Sequence, residues 1–502
     1  MGAAQSSSAQ AQTTRESIDE KRDRVAELSS SISNLSVHSG TPISADGSLT
    51  SSTISQWESS IASNPKLTLT RSILNHSDLR STLQSRSAAI ADAHVFNLEL
   101  EFKTNPITNQ KSSGRCWLFA TTNVLRYNVM KKLNLEEFEL SQSYLYFWDK
   151  LNKCNYFLEN IIETAGLPID ERIVYELTDE PISDGGQWDM VVNLLETYGV
   201  VPKAAFPESY HSSLSSPMNT LLKTKLREHA LILRNLHSSL SSSSTSSSSA
   251  LATLRAKKED LMKEIYTIVS SILGVPPSKD EKFVWDYYDK EGKVGRWEGT
   301  PLEFYKKLAV DKYSPADSFS LINDPRNEYS KLYTVDRLGN LWGKRPVLYV
   351  NTEIDNLKKA IVTMLKAGQP VFFGCDVGQF SDRTFGIMDT DLFQYEFAFD
   401  ISLSLTKADR LRTGESQMTH AMVISGVHID PTTNKILRYK VENSWGPDAG
   451  QKGFYVMSDK WFDQFVYQVV IPKSLAPKEL VKVYESPERT VLPLWDPMGS
   501  LA

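Results

Sequence analysis

The chain has 502 residues, 40% apolar and 23% charged, with a formal charge of −6. This is the composition of an ordinary globular protein with ample material for a core, and it gives no general attraction to nucleic acid. The three cysteines, Cys116, Cys154 and Cys375, exclude a disulfide scaffold and read as reduced thiols of a cytosol-like compartment.

In chain order, residues 1–62 are rich in Ser, Thr, Ala and Gln and are expected to be mostly disordered, with a short helix at Ser17–Leu28. No signal peptide is read there. Met1-Gly2-Ala3-Ala4-Gln5-Ser6 fits a myristoylation pattern, but no polybasic cluster adjoins it, so no stable membrane insertion is expected. Glu16, Asp19 and Glu20 break the acidic-poor pattern of a mitochondrial presequence. No run approaches the ~20 apolar residues of a membrane span.

Residues 63–202 form a mainly helical lobe. Cys116 opens a helix in which Leu118, Leu125, Val129 and Leu133 recur at helical spacing. Leu140–Leu151 continues the helical pattern. Asp184-Gly185-Gly186-Gln187 is a turn before an amphipathic helix carrying Val191, Leu194 and Leu195, stopped at Gly199. Residues 203–343 read as a mostly helical insertion, with helices at Leu221–Leu236 and Leu251–Leu273 around a flexible serine loop, 238–250. Strand signals return in 344–475: Val347–Val350, Val371–Gly374, the run from His420, Ile436–Val441 and Phe454–Met457, with a helix over Ile354–Ala367. Residues 476–502 form a C-terminal arm.

The chemistry concentrates in Asn109-Gln110-Lys111-Ser112-Ser113-Gly114-Arg115-Cys116-Trp117. A thiol at a helix N-terminus has backbone N–H groups and the helix dipole favouring its thiolate, which is the nucleophile. Gln110 can donate to an oxyanion at the attacked carbonyl. A thiol needs a base, and the base an orienting group. His420 begins one strand-like run, and Asn443 follows another, with the turn Asp430–Asn434 between. Two antiparallel strands would bring the pair together, with Asn443 bonding one imidazole nitrogen and Trp445 shielding that bond. His428, near the turn, is the rival base and reads as surface. Cys154 and Cys375 read as small buried side chains. No Cys/His cluster has zinc-ligand spacing, so no metal is expected, and attack by a thiol needs no cofactor.

The order Gln110, Cys116, His420, Asn443 resembles the papain family of cysteine peptidases. That family carries its His and Asn roughly 130–150 residues after the Cys, whereas His420 lies about 300 residues on, so extra chain separates the halves. Ser113 stands where secreted relatives have a disulfide cysteine. Both departures resemble the bleomycin hydrolase branch, as do Gly185-Gly186-Gln187-Trp188-Asp189-Met190, Trp285–Lys290, Thr300–Tyr305, Val441–Gly446 and Leu494–Ala502. The resemblance implies an α+β, two-lobed papain-like fold with a helical lobe, a β-barrel-like lobe and a large helical insertion. It implies a substrate cleft lined by Gly185, Gly186 and Trp445, and an arm whose end, Ala502, holds the free N-terminus of a peptide. The expected activity is cysteine-type aminopeptidase, extending to bleomycin-type amides and homocysteine thiolactone. The resemblance also implies a homohexamer in the cytoplasm or mitochondrion. The alternatives are a papain-like endopeptidase and a ring-shaped nucleic-acid-binding regulator with weak DNA binding, for which Lys257-Lys258 is the supporting cluster.

Overall fold

The structure, a computed structural model, describes residues 47–243 and 246–501. The first 46 residues, the helix expected at Ser17–Leu28, and Ala502 lie outside the described residues. Two compact units divide at Asn75/His76.

In the first unit, helices span Ser51–Ala62 and Pro65–Leu74. The first stands in the stretch expected to be disordered. Thr50 caps it, accepting from the Thr53 amide at 3.1 Å, and Asn64 caps its successor. A two-pronged Arg71–Glu58 ion pair, 2.6 and 3.0 Å, joins them. Caps and a cross-helix pair supply order that a reading of apolar content overlooks.

The second unit holds one long mixed sheet. Among the described residues its path runs through strands 490–492, 331–335, 349–351, 318–322, 466–472, 371–375, 420–429, 436–442, 454–458, 387–388 and 381–382, with Leu98–Glu99 added alongside 420–429. Val371–Cys375 and Val466–Pro472 are buried throughout, and Gln468, the polar residue of the second, donates to Ser320 Oγ at 2.8 Å. Helix Ile354–Lys366 covers the sheet with the stripe Leu357, Ala360, Ile361, Met364 and Leu365.

Helix Cys116–Leu133 buries Leu118, Leu125 and Val129 of the predicted stripe and is buried on nearly every other side as well. Its polar residues find internal partners: Asn123 donates to Thr108 Oγ1 at 3.0 Å, Asn128 to the Ala309 carbonyl at 2.9 Å, and Arg126 pairs with Glu442 at 2.6 Å. Helices Gln142–Glu163 and Trp188–Tyr198 pack beside it, and Gly199 ends the latter at φ +71°.

The stretch 203–343 departs from a mostly helical insertion in two ways. Its helices run longer than expected, Ser216–Ser242 and Ser247–Leu273, into the serine tract. Ser239 and Ser242 bond their hydroxyls back to the carbonyls of Asn235 and Ser238, and Ser246 caps the second helix, so the serines serve as helix-end residues. After the helices come a hairpin, Phe283–Tyr288 with Val294–Gly299, and two strands of the main sheet, Ser318–Ile322 and Lys331–Val335. Lys258 is buried and donates to Glu159 at 2.6 Å and Asn155 at 2.7 Å; it is not part of a solvated basic face.

Candidate active site

Cys116 is the first residue of its helix. The preceding loop is tied to itself and to its surroundings. Ser113 Oγ donates to the Gln110 carbonyl at 2.7 Å, and Arg115 Nε donates to Ser113 Oγ at 2.9 Å. Arg115 is fully buried and pairs with Glu208 at 2.9 Å. The backbone amides of Ala421, Trp117 and Cys116 itself surround the Cys116 sulfur and favour its thiolate. The Ala421 contact sets the nucleophile helix against the strand that begins at His420.

Strands His420–Ile429 and Ile436–Glu442 pair antiparallel, with Val423 opposite Glu442. His420 at the start of one and Asn443 just past the end of the other therefore meet. The His420 Nε2–Asn443 Oδ1 distance is 2.9 Å, and Asn443 Oδ1 also accepts from the Ser444 amide at 2.7 Å. With Nε2 so engaged, Nδ1 is the ring nitrogen left for proton exchange. Trp445, half-buried, lies on the imidazole with ring centroids 5.0 Å apart, and Arg383 stacks over Trp445. His428 is eight positions along the same extended strand, about 26 Å away, too far to compete.

Gln110 is buried beside them. Its Oε1 accepts from Ser444 Oγ at 2.6 Å, and its Nε2 donates to the Ser113 carbonyl at 2.7 Å. Those contacts orient the amide and leave one Nε2–H for an oxyanion. Gly185 and Gly186 are buried next to this loop. A Cβ on Gly186 would lie 2.5 Å from the Trp117 ring, so the indole requires glycine there.

Burial pushes the Cys116 thiol up to about 11, against the pull of the three amides. Burial pushes His420 down to about 4, against its bond to Asn443. In this closed site each group alone prefers to be neutral. The thiolate expected at the helix start therefore forms as the thiol proton passes to Nδ1, both charges arising together and offsetting each other. Cys154 and Cys375 are fully buried, and burial raises both thiols. No group of three or more His, Cys, Asp or Glu side chains is arranged to hold a metal among the described residues.

The C-terminal arm reaches this site. Strand Thr490–Leu492 pairs parallel with Lys331–Val335. Asp496 then pairs with Arg326 at 2.8 Å, Arg172 stacks 3.8 Å over Trp495, and Tyr349 donates to the Met498 carbonyl at 3.3 Å. Finally Gln187 Nε2 donates to the Ser500 carbonyl at 2.7 Å, and Ser500 Oγ donates to the Met418 carbonyl at 2.9 Å. Gln187 follows the glycine turn and Met418 precedes His420, so the arm touches both sides of the site.

Sequence reasoning missed Arg115, Ser444 and Asp184. Only Ser444 carried a local signal, as the neighbour of Asn443.

The profile of the Peptidase C1-like family matches residues 48–499. The chain is 43% identical to bleomycin hydrolase of Homo sapiens over 449 residues, 88% of this chain and 96% of the relative. It is also 43% identical to "Cysteine proteinase 1, mitochondrial" of Saccharomyces cerevisiae strain JAY291, covering 90% of this chain and 92% of that protein. The crystal structure of PepW from Lactobacillus rhamnosis HN001 superposes with a TM-score of 0.85 at 42% identity, covering 91% of this chain and all of PepW. A thiol at a helix start, a histidine bonded to an asparagine and an amide donor beside them thus sit in a scaffold shared with known thiol enzymes. The chain belongs to the Peptidase C1-like family and is a papain-like cysteine peptidase.

Proposed function

We propose that the chain is a cysteine aminopeptidase that removes N-terminal amino acids from peptides. Cys116 Sγ passes its proton to His420 Nδ1 and attacks the scissile carbonyl carbon. The oxyanion takes hydrogen bonds from the free Gln110 Nε2–H and the Cys116 amide. His420 returns the proton to the leaving amine as the C–N bond breaks, leaving a thioester. Water, deprotonated by His420, then hydrolyses the thioester and restores the thiol. Asn443 holds the imidazole in the tautomer this exchange needs, and Trp445 covers that bond.

The observation that carries the exopeptidase reading is the hold on Ser500 by Gln187 and Met418. A tail fixed between the two sides of the cleft presents its carboxylate end to a substrate's α-ammonium and blocks longer chains. Ala502 is assigned that carboxylate. The same acyl-enzyme chemistry extends to bleomycin-type amides and homocysteine thiolactone.

The test pairs two fluorogenic substrates, one with a free α-amine and one N-acetylated, on the intact chain, Cys116→Ala and a variant lacking the last few residues. The reading expects only the free-amine substrate to be cut, no activity in Cys116→Ala, and cleavage of the acetylated substrate after truncation. Equal cleavage of both by the intact chain would make it an endopeptidase. The cytoplasm is the expected compartment, with the mitochondrion, named for the yeast relative, as the second; cell fractionation separates them. A hexamer is the expected assembly, to be measured by light scattering.

A further inference from the structure

Helix Gln142–Glu163 buries two lysines and an aspartate next to the active site, and a second aspartate meets them from the turn ahead of Gly185. We propose that this second acid, Asp184, is a positioning residue for Cys116: paired with Lys150, its carboxylate fixes the spacing between the loop that presents the nucleophile and the glycine turn beside it. The inference rests on Cys116 being the nucleophile.

Asp184 grips the nucleophile loop on both sides of the thiol. Its Oδ2 accepts from the Gly114 amide at 3.1 Å, and its backbone carbonyl accepts from the Trp117 indole at 2.8 Å. The rest of the carboxylate is fully engaged. Oδ1 receives Tyr146 OH and Asn219 Nδ2, each at 2.8 Å, and Lys150 Nζ at 2.7 Å, while Ser215 Oγ donates to Oδ2. The two lysines hold the neighbouring backbone. Lys150 donates to the Ser183 carbonyl at 2.8 Å, and Lys153 to the carbonyls of Ser183 and Gly185 at 3.2 and 2.5 Å, with Asp149 2.7 Å from Lys153. The packing leaves no slack. A Cβ on Gly114 would come within 3.0 Å of Asp184 Cβ, and one on Gly186 would meet the Trp117 ring.

The role these contacts fit is geometric. Buried charges are an expensive way to stabilise a fold, since apolar replacements of similar volume are often neutral or better; what charge-assisted hydrogen bonds add is direction. Further, the Asp184 charge works against the Cys116 thiolate, so it does not serve to ionise the nucleophile. Burial opposes ionisation of Asp184, yet Lys150 and the donors from Ser215 and Asn219 hold its carboxyl well below the usual range.

The test compares Asp184→Asn, Asn219→Ala and Cys116→Ala in the full chain. Reactive Cys116 is counted by alkylation with iodoacetamide above the Cys116→Ala background. kcat per titrated thiol, KM, the pH midpoint of alkylation and the melting temperature are then measured. Asp184→Asn is expected to lower kcat per thiol about 10- to 100-fold, the scale of a small misplacement of reacting groups, with KM little changed. Its alkylation midpoint moves to lower pH, because an anion is lost and Lys150 is left uncompensated, so turnover falls although the thiolate is easier to form. Asn219→Ala keeps the charge and loses one bond; it lowers kcat per thiol modestly with the midpoint unchanged. An unaltered kcat per thiol in Asp184→Asn, or in Asn219→Ala should the first variant not fold, overturns the proposal even if the melting temperature drops. Full activity in Cys116→Ala would instead overturn the nucleophile assignment, a separate failure.

Discussion

Arg126, inside the helix opened by Cys116, lies 2.6 Å from Glu442, the residue before Asn443. Both side chains are buried, and Arg126 also donates to the Pro106 carbonyl at 2.6 Å. The pair joins the element carrying the nucleophile to the strand that delivers the orienting asparagine. Removing one partner leaves the other charge buried, a loss of about 3–5 kcal/mol. Arg126→Ala is therefore expected to lower stability by that amount in urea denaturation. A loss under 1 kcal/mol would mean that water enters and solvates Glu442.

Gln110→Ala should cut kcat by about 10²–10³-fold, the effect of losing one oxyanion donor, with a modest fall in melting temperature because the Ser113 carbonyl and Ser444 hydroxyl lose their partner. Ser444→Ala should act in the same direction but less, since it releases only the bond that orients the Gln110 amide. If both variants turn over normally, the oxyanion lies elsewhere.

Gly186→Ala places a methyl group into a Trp117 ring that has no exposed surface. Overpacking of this kind costs about 1–3 kcal/mol, and displacement of the indole also disturbs its bond to Asp184. The expected result is lower thermal stability together with a raised KM. Wild-type values for both would mean the turn has room that the geometry denies it.

Gln187→Ala removes the side-chain bond to the Ser500 carbonyl. The ratio of acetylated to free-amine cleavage should rise, while cleavage of the free-amine substrate falls. An unchanged ratio would show that the tail is held well enough by Met418 and the Arg326–Asp496 pair.

Stability should also depend on pH through His420, whose pKa is pushed by burial from about 6.5 to about 4 in the fold. Between these values the unfolded chain binds a proton that the folded chain does not, so stability falls as pH drops from 6.5 to 4. The shift corresponds to about 3 kcal/mol lost by pH 4. Denaturation midpoints for the intact chain and His420→Gln, taken across this range, should converge as pH falls. Parallel curves would sink the assignment of this slope to His420.

Much of the site is legible in the sequence because Gln110, Cys116 and Trp117 lie within one short segment, and His420 and Asn443 each flank a clear strand. The strand pairing that unites the last two follows from the turn between them. Asp184, Lys150 and Lys153 escaped notice for the opposite reason. Their roles depend on partners far along the chain, and a lysine on a helix reads as solvated until its carbonyl acceptors are seen. Ser318–Ile322 and Lys331–Val335 were absorbed into a helical insertion because short apolar runs do not by themselves distinguish strand from helix. The apolar stripe of helix Cys116–Leu133 is legible from its spacing, but the burial of Asn123, Arg126 and Asn128 is not, because their partners come from other segments.

The parallel pairing of Thr490–Leu492 with Lys331–Val335 gives the tail the character of a ruler clamped at one end. Between that clamp and the cleft the tail turns at Pro493–Asp496 and coils through the short 3-10 helix Pro497–Gly499, so its reach is set by folded chain. Deleting a residue between Leu492 and Ser500 would shorten that reach and draw the stop back from the cleft, and the enzyme would then release segments longer than one amino acid. Product length, read by mass spectrometry on a synthetic peptide, should increase with the deletion; single amino acids from the shortened chain would mean the stop is not set from that strand.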